Sequence, residues 1–129
     1  QTGDTMTMAR IMSDDIPGGG LPVDLTHLSR QTFGDHSLER EVLALFERQS
    51  RAMLERLRNA TSPKTWAEAA HTLKGSALGI GAFGVAQAAE AVECDQVDHL
   101  SSRAWDDLAR LEKAVADANG FISHLLEAA

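Results

Sequence analysis

The sequence predicts an all-α fold: an antiparallel four-helix bundle with a short additional N-terminal helix. Three observations carry this. Tyr is absent and only four Phe and two Trp occur in 129 residues, while Ala, Leu, Glu and Arg abound, a composition that favours helix over strand. Apolar residues recur at three- and four-residue spacings along four long segments, and none alternates with the period of two of a half-buried strand. The connections between those segments are short enough to reach only neighbouring ends, which makes consecutive helices antiparallel.

The chain opens with Met6, Met8, Ile11 and Met12 ahead of Pro17-Gly18-Gly19-Gly20. This apolar run is too short and too interrupted for a secretory or membrane-spanning segment. Residues 1–20 read as a flexible N-terminal segment, part of it compatible with an expression leader, and residues 21–129 as one helical domain. Asp24 caps a short first helix that runs to about Gln31, and Gly34 ends it before a new start at Asp35. The second helix carries Leu38, Val42, Leu45, Phe46, Met53, Leu54 and Leu57 on its apolar side, over about six to seven turns. Ser62 followed by Pro63 starts the third, whose stripe is Trp66, Ala70, Leu73, Ala77 and Ile80. Gly79 and Gly81 weaken its end. A fourth helix with Phe83, Val85, Ala86, Ala89 and Val92 then reaches roughly Leu100. Ser101 or Ser102 caps the fifth, with Asp106 and Asp107 in its first turn and Trp105, Leu108, Leu111, Val115, Ile122 and Leu125 facing inward. Gly120 weakens this helix without ending it. Ala67, Ala69, Ala70, Ala77, Ala82, Ala86, Ala88, Ala89 and Ala91 make the third and fourth helices a tight hairpin.

Charge and cysteine content narrow the function. Lys and Arg total 12 against 19 Asp and Glu, a net charge of -7, which argues against sequence-independent binding to nucleic acid or anionic lipid. A single cysteine, Cys94, supports neither a disulfide framework nor a thiolate zinc site and fits a reducing cytoplasm. None of the five histidines, at 27, 36, 71, 99 and 124, forms a helical metal pair with another, and no phosphate cradle or nucleophile elbow occurs.

The informative stretch is Ala70-His71-Thr72-Leu73-Lys74-Gly75-Ser76-Ala77 on the third helix. At 100° per residue His71 lies roughly 140° from the centre of the apolar stripe, so its imidazole faces solvent. Lys74 and Gly75, three and four residues on, share that flank. An exposed imidazole is largely neutral at cellular pH and its free nitrogen is a nucleophile that can take a phosphoryl group. Lys74 can supply a cation to the transferring oxygens. Gly75 costs about 1 kcal/mol relative to alanine in an exposed helix interior; here it clears space beside the ring for a partner's loops.

These residues resemble the histidine-containing phosphotransfer (HPt) domains of multistep two-component phosphorelays, whose signature is His-x-Leu-Lys-Gly-Ser followed by small residues and a glycine. His71, Leu73, Lys74, Gly75, Ser76, Ala77 and Gly81 match it. Asp24-Leu25 through Phe33-Gly34-Asp35 and Leu43 through Phe46 resemble the family's opening helices, so that the resemblance covers about Val23 to Leu126. It implies a monomeric phosphocarrier that shuttles a phosphoryl group between aspartates of response-regulator receiver domains through His71, in a relay fed by a hybrid sensor histidine kinase. Such a chain is not an enzyme by itself and has no cofactor or metal of its own, Mg2+ being expected on the partner receiver.

Around the motif, Ser76 lies toward the core, where its hydroxyl is expected to bond back to the preceding turn as a structural support. Leu78, two turns beyond His71 on the outward flank, is a candidate contact for a docking partner. Glu68, one turn before the ring, is another, with two alternatives, to orient the imidazole or to stand as a solvated helix charge. His27, His36, His99 and His124 read as incidental surface or boundary residues. Two other functions fit the same bundle: a receiver-binding adaptor without turnover, which has no need of His71, and the dimerisation and phosphoacceptor domain of a histidine kinase, which would be a dimer and carry an ATP-binding module.

Overall fold

The computed structural model describes residues 21–128; the expected N-terminal segment, residues 1–20, lies outside them. Among the described residues there are five helices and no strand: α1 (Leu25–Gln31), α2 (His36–Arg58), α3 (Pro63–Ile80), α4 (Phe83–Cys94) and α5 (Ser102–Ala128). No helix among them is long and apolar enough to cross a membrane.

The helix starts are set by side-chain caps that satisfy otherwise orphaned backbone donors. Asp24 accepts from His27 N at 3.1 Å, Asp35 from Leu38 N at 3.0 Å, and Ser62 from Thr65 N at 3.1 Å. Ser101 Oγ accepts from Ala104 N at 3.1 Å and so caps α5. The first turn of α5 is therefore Ser102–Trp105, and Asp106 and Asp107 fall one turn later than expected. Between α3 and α4 the chain turns on Gly81 at φ 81°, where a Cβ would come within 3.0 Å of the Asp24 carbonyl oxygen. The same contact brings Asp24 N to Gly81 O at 2.9 Å, so the entry to α1 is tied to the end of α3.

α3 packs on α2 and α4, α5 on α4 and α2, and α1 against α3. The core between them is lined by Phe46, Leu54 and Leu57 of α2, Trp66, Leu73 and Ile80 of α3, Val85 and Val92 of α4, and Leu108, Leu111 and Ile122 of α5. The expected close α3–α4 hairpin is present, with Ala69, Ala70, Ala77, Ala86 and Ala89 all buried. Ala67 and Ala88 are only half-buried and Ala91 is exposed.

Four expectations need correction. The inward line of α2 is Leu43, Phe46, Ser50, Leu54 and Leu57, whereas Leu38 and Leu45 are 39% and 52% exposed. Ser50 masks that line in the sequence because it is a polar residue at a core position, its hydroxyl bonded to Glu47 O and accepting from Asn119 Nδ2. α4 ends at Cys94, not near Leu100, and Asp95–Ser101 is a turn segment. A helix to Leu100 would have left one residue in which to reverse the chain before α5. His99, in this segment, is buried with its ring 5.8 Å from Trp66, so it is a packing residue. Trp105 is 42% exposed and lays one edge on Trp66 instead of entering the core.

Candidate functional site

The inner face of α3 decides which residues are left outside. Trp66, Ala69, Ala70, Leu73, Ala77 and Ile80 are buried, and at 100° per residue this turns His71 away from the core. The His71 side chain is 69% exposed, as the sequence predicts. Glu68, Gly75 and Leu78 are exposed on α3 as well. A Cβ built on Gly75 meets nothing within 4 Å among the described residues, so the glycine answers no packing demand from them.

The acidic residue beside the ring comes from another helix. Glu93, in the last turn of α4, places Oε2 at 3.2 Å from His71 Nδ1 and Oε1 at 3.3 Å from Lys74 Nζ. Its two oxygens thus bridge the imidazole and the ammonium. With a carboxylate as acceptor, Nδ1 is the donor and keeps the ring proton, leaving Nε2 with its lone pair. Nε2 has no protein partner among the described residues. Lys74 is three-quarters buried along its stem, as a long side chain lying against apolar surface should be.

The position of Glu93 is set from the core. The buried Trp66 indole donates to Val92 O at 2.6 Å, joining the first turn of α3 to the last turn of α4. Val92 is itself buried, so the next residue along α4 is delivered to the α3 flank that carries His71 and Lys74. Glu93 escaped the sequence reading because it lies 22 residues from His71. A signal was available: His71 is ten residues before Gly81 and Glu93 eleven after Ala82, so folding the hairpin at that turn sets them side by side.

Ser76 requires a further correction. Its hydroxyl does not bond back to its own helix but reaches Gln49 Oε1 of α2 at 2.9 Å. Ser76 lies on the flank of α3 that faces α2, and a side-chain acceptor there competes with the helix carbonyls, which are already engaged. It remains a support, between helices. Glu68 makes no ion pair among the described residues, and it is Glu93 that meets the ring. Cys94 is exposed at the end of α4. No group of three or more His, Cys, Asp or Glu among the described residues is arranged to hold a metal ion.

A nucleophilic imidazole with one nitrogen held, a cation beside it and an open position four residues on is an arrangement suited to group transfer with a second protein. The family model described as the Hpt domain matches residues 41–121, well over half of the chain. The chain belongs to the Hpt domain family. No curated protein and no solved structure matches it. Hpt domains carry phosphoryl groups on a histidine in two-component phosphorelays, act as phosphocarrier modules and interact with response-regulator receiver domains. This Hpt domain has two histidines within the matched stretch, His71 and His99, and only His71 is exposed; His99 is 7% exposed.

Proposed function

We propose that this chain accepts a phosphoryl group on Nε2 of His71 from the phosphoaspartate of one receiver domain and passes it to the aspartate of another. The observation that carries the reading is the contrast between the two histidines of the matched stretch: one faces solvent beside Lys74 and Glu93, the other is packed on Trp66. The supporting frame is read as an antiparallel four-helix bundle with α1 as the short extra helix, working as a cytoplasmic monomer. A hybrid sensor histidine kinase is the expected source of the phosphoryl group.

The chemistry follows from the two ring nitrogens. The Nε2 lone pair attacks phosphorus, the bond from phosphorus to the aspartyl oxygen breaks, and its electron pair returns to the receiver's carboxylate. The ring becomes positively charged when Nε2 is phosphorylated, and Glu93 stabilises that charge while holding the proton on Nδ1. On the return transfer the electron pair of the phosphorus–nitrogen bond goes back to Nε2 and neutral imidazole leaves. No proton has to move in either direction. Lys74 offsets the negative charge that Glu93 brings close to the phosphoryl oxygens. Magnesium on the partner receiver would neutralise the oxygens from the other side. Gly75 leaves room for the receiver's loops, and Leu78 and Glu68 lie where they would touch that partner.

The test is incubation of the chain with a panel of phosphorylated receiver domains, following label onto it. The adduct should be acid-labile and base-stable, as a phosphoramidate is. A chain that takes no label from any receiver, or carries it as an acid-stable ester, contradicts the proposal.

A further inference from the structure

Two residues beyond Glu93 the chain presents a second group of charges, this one toward α5. Asp95, Asp98 and Asp107, together with Ser101, Arg103, Ala91 and Cys94, line a cavity of about 440 Å3. The Asp95 side chain is nine-tenths buried, yet its Oδ2 has no hydrogen-bond partner. The nearest candidate is the carboxyl of Asp107, which can serve only if one of the two acids holds a proton. Burial and that neighbour raise Asp95 from 3.8 to about 6.

The resident cations do not close the account. Arg103 Nε stands 3.9 Å from Asp95 Oδ1, at the limit of an ion pair, with its side chain 85% exposed. Arg110 Nη2 is bound at 2.8 Å to Asp107 Oδ1. Asp98 makes no ion pair among the described residues. The groups facing Asp95 are therefore Asp98 and Ser101 of the turn segment and Arg103 and Asp107 of α5, with uncharged Ala91 and Cys94 from α4. A cation delivered into this cavity would offset the charge of Asp95, Asp98 and Asp107, whose resident partners are two largely exposed arginines. The acids are not disposed to hold a metal ion, and a guanidinium, with five donors in a planar fork, matches spread carboxylates better than a point charge. Beside the cavity, in the same turn segment, Val97 and Leu100 are 80% and 70% exposed, an apolar rim next to an acidic recess.

We propose that this cavity is a docking site for an arginine side chain of a protein partner, with the partner's flanking apolar residues resting on Val97 and Leu100. The site is independent of phosphotransfer at His71 and stands or falls separately. Because Asp95 must be ionised, binding strengthens as pH rises through about 6.

The experiment titrates the 15N-labelled full chain at pH 7.5 with the peptide acetyl-Leu-Arg-Leu-amide, and with the same peptide carrying citrulline, the neutral isostere of arginine. Saturable amide shifts confined to residues 91–107 are expected with the arginine peptide, with affinity about tenfold weaker or worse for citrulline. Asp95→Asn and Asp98→Asn should each weaken binding, and Arg103→Gln, which removes the resident competitor, should strengthen it. Thermal melts of the variants establish that they are folded. Equal shifts with the two peptides, shifts scattered over the acidic surface, or indifference to all three substitutions would overturn the proposal. Saturation of the same residues by magnesium chloride, more tightly than by the peptide, would assign the cavity to a metal ion and overturn it as well.

Discussion

Glu93 Oε2 lies 3.2 Å from His71 Nδ1, so that a carboxylate from α4 holds one ring nitrogen while the other has no partner among the described residues. The pair joins two helices whose relative register is fixed by the buried Trp66 to Val92 hydrogen bond, and the chemistry of the exposed ring is thereby tied to the core.

Substitutions at Glu93 separate its two contributions. Glutamine keeps an acceptor for Nδ1 but not the charge, and alanine keeps neither. A hydrogen bond of this kind is worth about 0.5–1.5 kcal/mol net, or roughly 2- to 10-fold in rate. Transfer time courses from a phosphorylated receiver should rank wild type above Glu93→Gln above Glu93→Ala. An alanine variant as fast as wild type would show that the contact has no part in the reaction.

Lys74→Ala should slow transfer by a modest factor, about 3- to 10-fold, without altering the helical circular dichroism. Its ammonium is the counter-ion of Glu93 at 3.3 Å, and its loss leaves a negative charge uncompensated beside the incoming phosphoryl group. The rate is measured at low salt, where screening is least. An unchanged rate there would mean that Lys74 is only a solubilising charge.

Gly75 sets stability against function. Open space around its Cβ position allows Gly75→Gln to be accommodated, and the better helix propensity should keep the melting temperature at or above wild type. Transfer should nevertheless be far slower, with Gly75→Ala intermediate, because the side chain projects where the receiver must approach the ring. Normal transfer by Gly75→Gln would show that clearance is not the reason for the glycine.

Asp95 gives a pH signature unrelated to phosphotransfer. Its carboxyl is raised from 3.8 to about 6 by burial and by Asp107. The native state therefore binds a proton that the unfolded chain releases, and this contribution is present in full below about pH 4 and is lost as pH rises through about 6. Asp95→Asn should thus be more stable than wild type at pH 7.5, by about 1–3 kcal/mol, with the difference disappearing at pH 4. Thermal melts at the two pH values check this; a variant less stable than wild type at pH 7.5 would contradict it.

Much of this architecture was legible because its determinants are local. Asp24, Asp35 and Ser62 announce helix starts through short-range capping, and the α3 stripe from Trp66 to Ile80 places His71 outside by simple periodicity. What was not legible depends on partners distant in sequence. Ser50 occupies a core position that only Asn119, 69 residues away, makes tolerable. Ser76 finds Gln49 instead of its own helix. Glu93 and the orphaned Asp95 gain meaning only when the α3–α4 hairpin and α5 are assembled. The end of α4 at Cys94 is hidden in the sequence because no glycine or proline stands between Val92 and Ser101 to mark it.

Of the five histidines, His71 is the one expected to carry the phosphoryl group. The most direct measurement is transfer from a phosphorylated receiver domain to wild type and to His71→Gln, with folding of the variant verified by circular dichroism. Substitution of an exposed side chain should leave the fold intact. Wild type is expected to gain acid-labile label while folded His71→Gln gains none; label on His71→Gln at the wild-type level would contradict the account.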